Sequence, residues 1–528
     1  MKASSQVANQ QVKREITKSF KLFMNRLIDS AENEADLRSL EEVTWDAVLE
    51  IGQSLTAMVL NIRCRKATEK DMAKRGLSKQ QTKLRNEPDY WYQLMTTFGP
   101  VQFFSYAYRD MSAPVGSVTR VPAREAVLPL YAKTRSSELC LEWETRLGSE
   151  HSFRKAQEAL TFFTHSAVRL EDTTIARHMV TTARLIDPDW LYRDPAEIRT
   201  ILEMRATRDS RTGQPIIYMS TDAHALRRYV DETWDAQWKM ANGIRLWCVD
   251  RNNGAIIHLG GEYTWGDCEA VSVIVDRLVT SGHLAEDGDY GNGTSAKLVV
   301  ITDGAPWIEN HVLPLLPWAV PILDAYHTLE HIGNYVALRF GKASREARYF
   351  YDQAACHLLG KTVRSRKKSK KRKNHRKHLR RKTRSAEAIQ ACEKDELKTR
   401  RMTGPEKVLE MLILDEPTTK KQRKSREALV NFVEGNWYRM DYLLYRNHGY
   451  QIGSGAMESL HRTASQVRLK IPGGRWLEET SQAIFDLRMM AMVGKWDAFW
   501  HQPGLTSKLV MVFGGETSGP QNRLQEAA

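Results

Sequence analysis

Cysteine is scarce in this sequence: six residues (Cys64, Cys140, Cys248, Cys268, Cys356 and Cys392) are scattered through 528 positions. There is no CxxC pair and no short Cys/His spacing of the kind that closes a tetrahedral zinc site, which argues against both structural zinc and a disulfide framework. If the protein uses a metal, oxygen ligands should hold it, which favours magnesium or manganese. Long apolar runs are also missing. Nothing approaches the roughly 18 uncharged apolar residues of a membrane span, and the opening MKASSQVANQQVKREI lacks the apolar core of a signal peptide. The expectation is a cytoplasmic protein without a membrane partner. One stretch is strongly basic and free of acids: residues 361–384 carry 15 Lys or Arg and no Asp or Glu. Taking those 15 from the net charge of +14 leaves the rest of the chain at −1, so one segment carries the whole excess.

What is present is ample for packed cores: 42% hydrophobic residues, 14 Trp and 27% charged residues. The length allows several domains. Residues 1–85 read as helical, with Val48, Leu55, Val59 and Ile62 on one inward stripe and Thr44 as N-cap. The aromatic run at 96–109 breaks at Gly99 and Pro100 and suits a short strand pair. At 152–186 a helix with Phe153, Ala156, Leu160 and Phe163 inward is followed by a break and a second helix from about Asp172. That spacing fits a DNA-reading helix-turn-helix or an ordinary helical hairpin. Together, 86–205 form a hairpin and helix-turn-helix-like region.

From Pro215 the period changes to that of strands. IIYMSTD, IRLWCVD and AIIHLGG are followed by a helix at 266–280, then by KLVVITD and by WAVPILDAYH. This predicts an α/β sheet with an antiparallel hairpin on one edge. Residues 206–341 form its first part, 342–436 a helical basic insertion, 437–500 its second part with a helix at 477–493, and 501–528 a mobile tail.

Asp222 and Asp303 each end an apolar strand, at the sheet edge where α/β folds take ligands. An acid there is also a common turn former. The first and fourth strands of such a sheet are neighbours, which brings the two carboxylates together. Glu458 follows the GSG turn at 453–455, in the first turn of a helix. There it either favours the helix dipole or joins the other two acids. Three carboxylates on one cleft repel unless cations neutralise them. Such a set suits two divalent ions roughly 3.5 to 4 Å apart, which serve in-line attack on phosphorus.

The blocks TDAH, TDGAPWI, LDAYHTLEH and IGSGAMES, with VRLK and GGRW after them, resemble the catalytic domain of bacterial insertion-sequence DDE transposases of the ISKra type, related to the Mutator-like group. The resemblance covers 216–489. It implies an RNase H-like catalytic domain with a helical insertion, preceded by mainly helical DNA-binding domains. It also implies Asp222, Asp303 and Glu458 as the triad holding two Mg²⁺ or Mn²⁺ ions, and Asp324 and His327 as a supporting DxxH block. The activity implied is metal-dependent cleavage and strand transfer at the ends of an insertion sequence, by a nucleoid-associated homodimer or larger oligomer on double-stranded DNA. A catalytically silent DNA-binding descendant and a nuclease of the same fold are the alternatives. Many relatives carry a CxxC knuckle after the 96–109 run; MSAPVGSVTR stands there without Cys.

The basic run supplies Arg364, Arg366, Lys367, Lys368, Lys370, Lys371, Arg372, Lys373, Arg376, Lys377, Arg380 and Arg381 as phosphate contacts, or else forms a solvated charge block. Arg462, Arg468, Lys470, Arg475 and Arg488 add cations near the third acid, where ordinary surface charge is the alternative for each. Trp476 is the aromatic close enough in sequence to touch a base.

Overall fold

The computed structural model describes residues 2–33, 36–76, 82–85, 91–104, 107–110, 126–230, 235–360 and 404–514. Contacts divide the chain into two compact units, Leu191–Val467 and a second made of Met1–Trp190 with Arg468–Ala528. No helix among the described residues is long and apolar enough to cross a membrane.

In the second unit, helices Lys2–Glu32 and Leu37–Lys74 lead. Asp36, not Thr44, caps the latter, its side chain accepting from Ser39 N at 2.8 Å. Thr44 lies inside the helix and donates to Leu40 O. The buried face is Ala47, Leu49, Gly52, Leu60, Cys64 and Met72, while Val48, Leu55 and Val59 stay exposed. The face is chosen by what packs on it. Leu60 and Cys64 share a core with Leu94, Val101 and Phe103, and Gly52 lies where a Cβ would come within 2.4 Å of the Phe98 ring. Those partners belong to a strand pair at 91–104 that turns at Thr97 and Phe98, so Gly99 and Pro100, where a break in the run at 96–109 is expected, instead open its second strand. Strand β1 (Thr82–Arg85) pairs with β4 (Ala107–Asp110), and β2 (Trp91–Thr96) pairs with β3 (Gly99–Phe104).

The two helices expected at 152–186 form at Phe153–Phe163 and Asp172–Ala183. Ala156, Leu160 and Ile175 are buried with Cys140, but Phe163 points outward, 65% exposed. Residues 468–500 have packing partners in this unit. Arg184 Nη2 meets Glu479 Oε1 at 2.5 Å and Lys495 Nζ donates to Asp189 O at 3.0 Å. Helix Leu505–Gly514 buries Leu505, Leu509 and Val512, so the first part of the expected tail is packed. Residues 515–528 lie outside the described residues.

The Leu191–Val467 unit is built on a five-stranded sheet ordered β7-β6-β5-β8-β9. Its strands are β5 (Ile216–Val230), β6 (Asp235–Val249), β7 (Ile256–Thr264), β8 (Lys297–Thr302) and β9 (Val320–Leu323). The first three are antiparallel; β8 and β9 run parallel to β5. Helix Cys268–Thr280 joins the two halves. The expected neighbours, first and fourth strands, are side by side. One boundary differs: β5 does not stop at Asp222. Its pairing with β8 ends at Met219↔Val300, but its pairing with β6 continues past Asp222↔Gly243 to Val230↔Asp235. Asp222 therefore stands beyond the end of the β5–β8 pairing.

Among the described residues of 342–436 the helices are Arg345–Leu358, Pro405–Leu414 and Lys420–Asn436. They share the core of the sheet. Leu358, Val408, Leu412, Leu429 and Val433 share one cluster with Ile216, Tyr218, Ile301 and Ile322 of the sheet, because an apolar helix stripe must be covered. Gly404 N donates to His357 O at 2.8 Å, so the chain returns beside the point where residues 361–403 begin. The twelve Arg and Lys between Arg364 and Arg381 lie outside the described residues.

Candidate active site

Asp303 is the residue after β8, and Asp324 the residue after β9. Both thus emerge at the carboxyl ends of parallel strands. Gly304 turns with φ +89°, a conformation that favours glycine, and a Cβ there would meet Leu323 Cδ1 at 2.6 Å. Asp303 Oδ1 accepts from Ala305 N at 2.9 Å. Asp324 caps helix Ala325–Phe340, with Oδ1 accepting from Tyr326 N and His327 N. Its other oxygen, Oδ2, accepts from Ser454 N at 2.8 Å and from the Ser454 hydroxyl. Asp324 therefore caps its own helix with one oxygen and fastens the 453–455 turn with the other.

Two further ties bring the chain back from its long excursion. Gln451 N donates to Tyr218 OH (3.1 Å), and Trp247 Nε1 donates to Gln451 Oε1 (3.0 Å). Upstream, Asp209 holds His448 Nδ1 at 2.9 Å and the Tyr450 hydroxyl. Burial pushes the Asp209 carboxyl up, but these partners and the backbone N–H groups of Arg211 and Thr212 outweigh it and hold it at about 2.

Glu458 lies on helix Gly455–Leu460, which runs on through a π-turn, His461–Gln466, into Val467–Leu469. Arg245 Nη1 donates to Ala456 O. Gly243, opposite Asp222 on β6, lets this helix approach: a Cβ there would meet Met457 Cε at 2.6 Å and the Tyr263 ring at 2.7 Å.

The outcome is one cleft of about 180 Å³ lined by Asp222, Asp303, Glu458, Asp324 and His327, with Glu330, Tyr326 and Ser454 beside them. Five of its residues are acids, and neither Lys nor Arg lines it. Asp222 Oδ1 accepts from Ala223 N at 2.7 Å, and Oδ2 lies 3.2 Å from His461 Nε2. His327 and His331 meet at 3.1 Å through their Nε2 atoms. Burial first, then the His327 charge, lowers the pKa of His331, so its neutral form is favoured. Among the described residues, no three His, Cys, Asp or Glu side chains form a group tight enough to hold a metal ion. The acids share a cleft but not the close clustering expected of them. The donor set nevertheless has the right chemistry for a hard divalent cation: the carboxylates of Asp222, Asp303 and Glu458 are oxygen donors, the last of them exposed, and neither Lys nor Arg lines the cleft.

Several expected DNA contacts are corrected. Arg468 is 1% exposed, its Nε donates to Gly148 O at 3.1 Å, and its guanidinium lies over the rings of Phe153 and Trp476. Burial pushes its pKa down to about 10. Trp476 is buried and its Nε1 donates to Leu469 O. Arg488 is half-buried, with Nη1 donating to Ser149 O. These three side chains are committed to packing and offer nothing to a phosphate or a base. Arg462, Lys470 and Arg475 are exposed. The sequence alone did not point to Tyr326, whose ring at the cleft is 66% exposed, or to His461, which follows Glu458 by one helical turn.

No protein-family model and no curated protein matches the sequence. The chain is similar to a solved structure, the Drosophila P element transposase strand transfer complex, at 11% identity and a TM-score of 0.27, over 70% of this chain and 93% of that one. So low a score leaves fold and chemistry to be argued from the chain's own residues.

Proposed function

We propose that the protein is a DNA transposase of the DDE type with an RNase H-like core, and that Asp222, Asp303 and Glu458 form its catalytic centre. The observation that carries this is the shared cleft: acids 81 and 155 residues apart in sequence (222 to 303, and 303 to 458) line one hollow at the carboxyl ends of neighbouring strands. Acids gathered without a cation cost stability, so the gathering has a use other than folding. Asp222, Asp303 and Glu458 would hold Mg²⁺ or Mn²⁺, which when bound supplies an activated nucleophile and stabilises the leaving oxygen. The chain's own residues set the geometry. Asp324 clamps the turn that carries Glu458, and Arg245 holds the helix behind it. The exposed Tyr326 ring offers a stacking surface to a base next to the scissile phosphate. The exposed cations, and those of 361–384, would serve the phosphates of element ends and target duplex, in a homodimer or larger assembly.

A second reading, a silent DNA-binding descendant, draws on the open spacing of the acids. One experiment separates the two. The full chain is incubated with duplex DNA from the flanks of its own coding sequence and Mg²⁺, and strand cleavage and joining are followed on gels. Cleavage that disappears in Asp222→Ala and Glu458→Ala, with DNA retention unchanged, supports the transposase. Absence of cleavage by the unaltered chain with Mg²⁺ or Mn²⁺ favours the silent descendant, and cleavage that survives in both variants rejects the triad.

A further inference from the structure

Behind Asp222 lies a polar chain that the triad does not explain. His461 is 4% exposed. Its Nε2 lies 3.2 Å from Asp222 Oδ2 and its Nδ1 lies 3.0 Å from Tyr263 OH. The ring is boxed in by His224, 4.4 Å away between centroids, and by Tyr263 at 5.8 Å. His224 in turn places Nε2 2.6 Å from the Ser465 hydroxyl. Asp222 and His224 are two apart on β5 and so project from the same face of the strand. His461 and Ser465 both belong to the π-turn, a helix irregularity that costs regular hydrogen bonding and concentrates at functional sites. Two polar side chains of the turn, His461 and Ser465, thus meet two of β5, Asp222 and His224.

We infer that His461 is a positioning residue for Asp222, with Tyr263 fixing its tautomer, and that the pair determines how tightly the cleft takes a divalent cation. This rests on the proposed role of Asp222. The phenol of Tyr263 is held protonated, its pKa raised mainly by burial. A protonated phenol donates to Nδ1, which leaves the hydrogen on Nε2 and points it at Asp222 Oδ2. With Oδ1 taken by Ala223 N, the carboxylate is held from both sides, and each oxygen keeps a lone pair for the cleft. A freely rotating Asp222 would lose orientation on each binding event. Removal of a partner of this kind typically costs about 10–100-fold in metal affinity.

The test uses the full-length protein and Mn²⁺ alone, with free Mn²⁺ read by electron paramagnetic resonance and folding checked by thermal melting. His461→Ala should weaken the binding about 10–100-fold. His461→Gln, which keeps a donor at the Nε2 position, should recover most of it. Tyr263→Phe removes one hydroxyl without opening the core and should weaken binding in the same direction by a smaller factor, which covers the case of an unfolded His461→Ala. Mn²⁺ affinity unchanged in Tyr263→Phe and in folded His461→Ala, while Asp222→Ala weakens it, overturns the inference and spares the site. Mn²⁺ affinity unchanged in Asp222→Ala removes the site itself.

Discussion

Two carboxylate–histidine pairs, one in each unit, differ in the histidine nitrogen they use and in their access to solvent. Glu144 Oε2 and His178 Nδ1 are 2.5 Å apart with both side chains fully buried. Cys140 Sγ donates to the other Glu144 oxygen at 3.5 Å, the Phe513 ring closes over the imidazole, and His178 Nε2 has no partner. In Asp222–His461 the histidine side chain is 5% exposed but the acid 37%. A sealed pair is closed to any ligand, whereas a pair with its acid open to a cleft leaves that acid within reach of one. Access, not the pairing, separates the two.

Four measurements would break or sharpen this contrast. The largest effect belongs to the open acid: Asp222→Ala should reduce cleavage to background while the melting temperature stays within a few degrees of the parent. A large loss of stability would make Asp222 a folding residue like Glu144. Next, Glu144→Ala strands a buried imidazole, and breaking a buried pair costs about 3–5 kcal/mol. Urea unfolding should show that loss, and a change under about 1 kcal/mol, the scale of an exposed pair, would show the sealed pair to be dispensable. Third, the open acid sits in a cleft with no lining Lys or Arg, so the cations for a polyanion lie elsewhere. Deleting residues 364–384 should weaken DNA binding across sequences and flatten its logarithmic salt dependence by about 1 for each phosphate no longer neutralised. Equal salt slopes for parent and deletion would reduce the run to solvated charge.

The smallest effect comes from a histidine with no pair. His258 has both ring nitrogens shielded and unpartnered, and burial, with the Arg245 and Arg193 charges, lowers its pKa to about 3. Below its ordinary value of 6.5 the unfolded chain takes a proton that the folded chain refuses. Stability should therefore fall as pH drops from 6.5 toward 3, by at most about 1.4 kcal/mol per pH unit. Urea midpoints between about pH 6.5 and 5 should show the slope, and His258→Asn should remove it. A parent curve already flat in that window would place a proton on the folded imidazole.

The adjacency of the first and fourth strands was legible in the sequence, because buried strands write themselves as apolar runs, and Asp303 falls at the end of one of them. Exposure was not. Arg468, Arg488 and Trp476 look like any cation or aromatic near an acid, and only the packing of Gly148, Ser149 and Phe153 around them shows that they are spent. The extension of β5 beyond Asp222 was hidden as well, since HALRRYV carries no steady alternation and is held by its pairing with β6. His461 was missed for a related reason. A lone histidine after an acid is uninformative until Tyr263, from a strand nearly 200 residues earlier, is seen beside it.

The hydrogen bond from Gly404 N to His357 O closes a neck. Everything between residues 361 and 403 hangs from two points that already touch, so its length and charge can change without pulling on the core helices on either side. Loop closure depends only weakly on loop length. A change of length or charge between 361 and 403 is therefore insulated from the clamps of the cleft, Asp324 on Ser454 and Arg245 on Ala456, which lie on the other side of the neck.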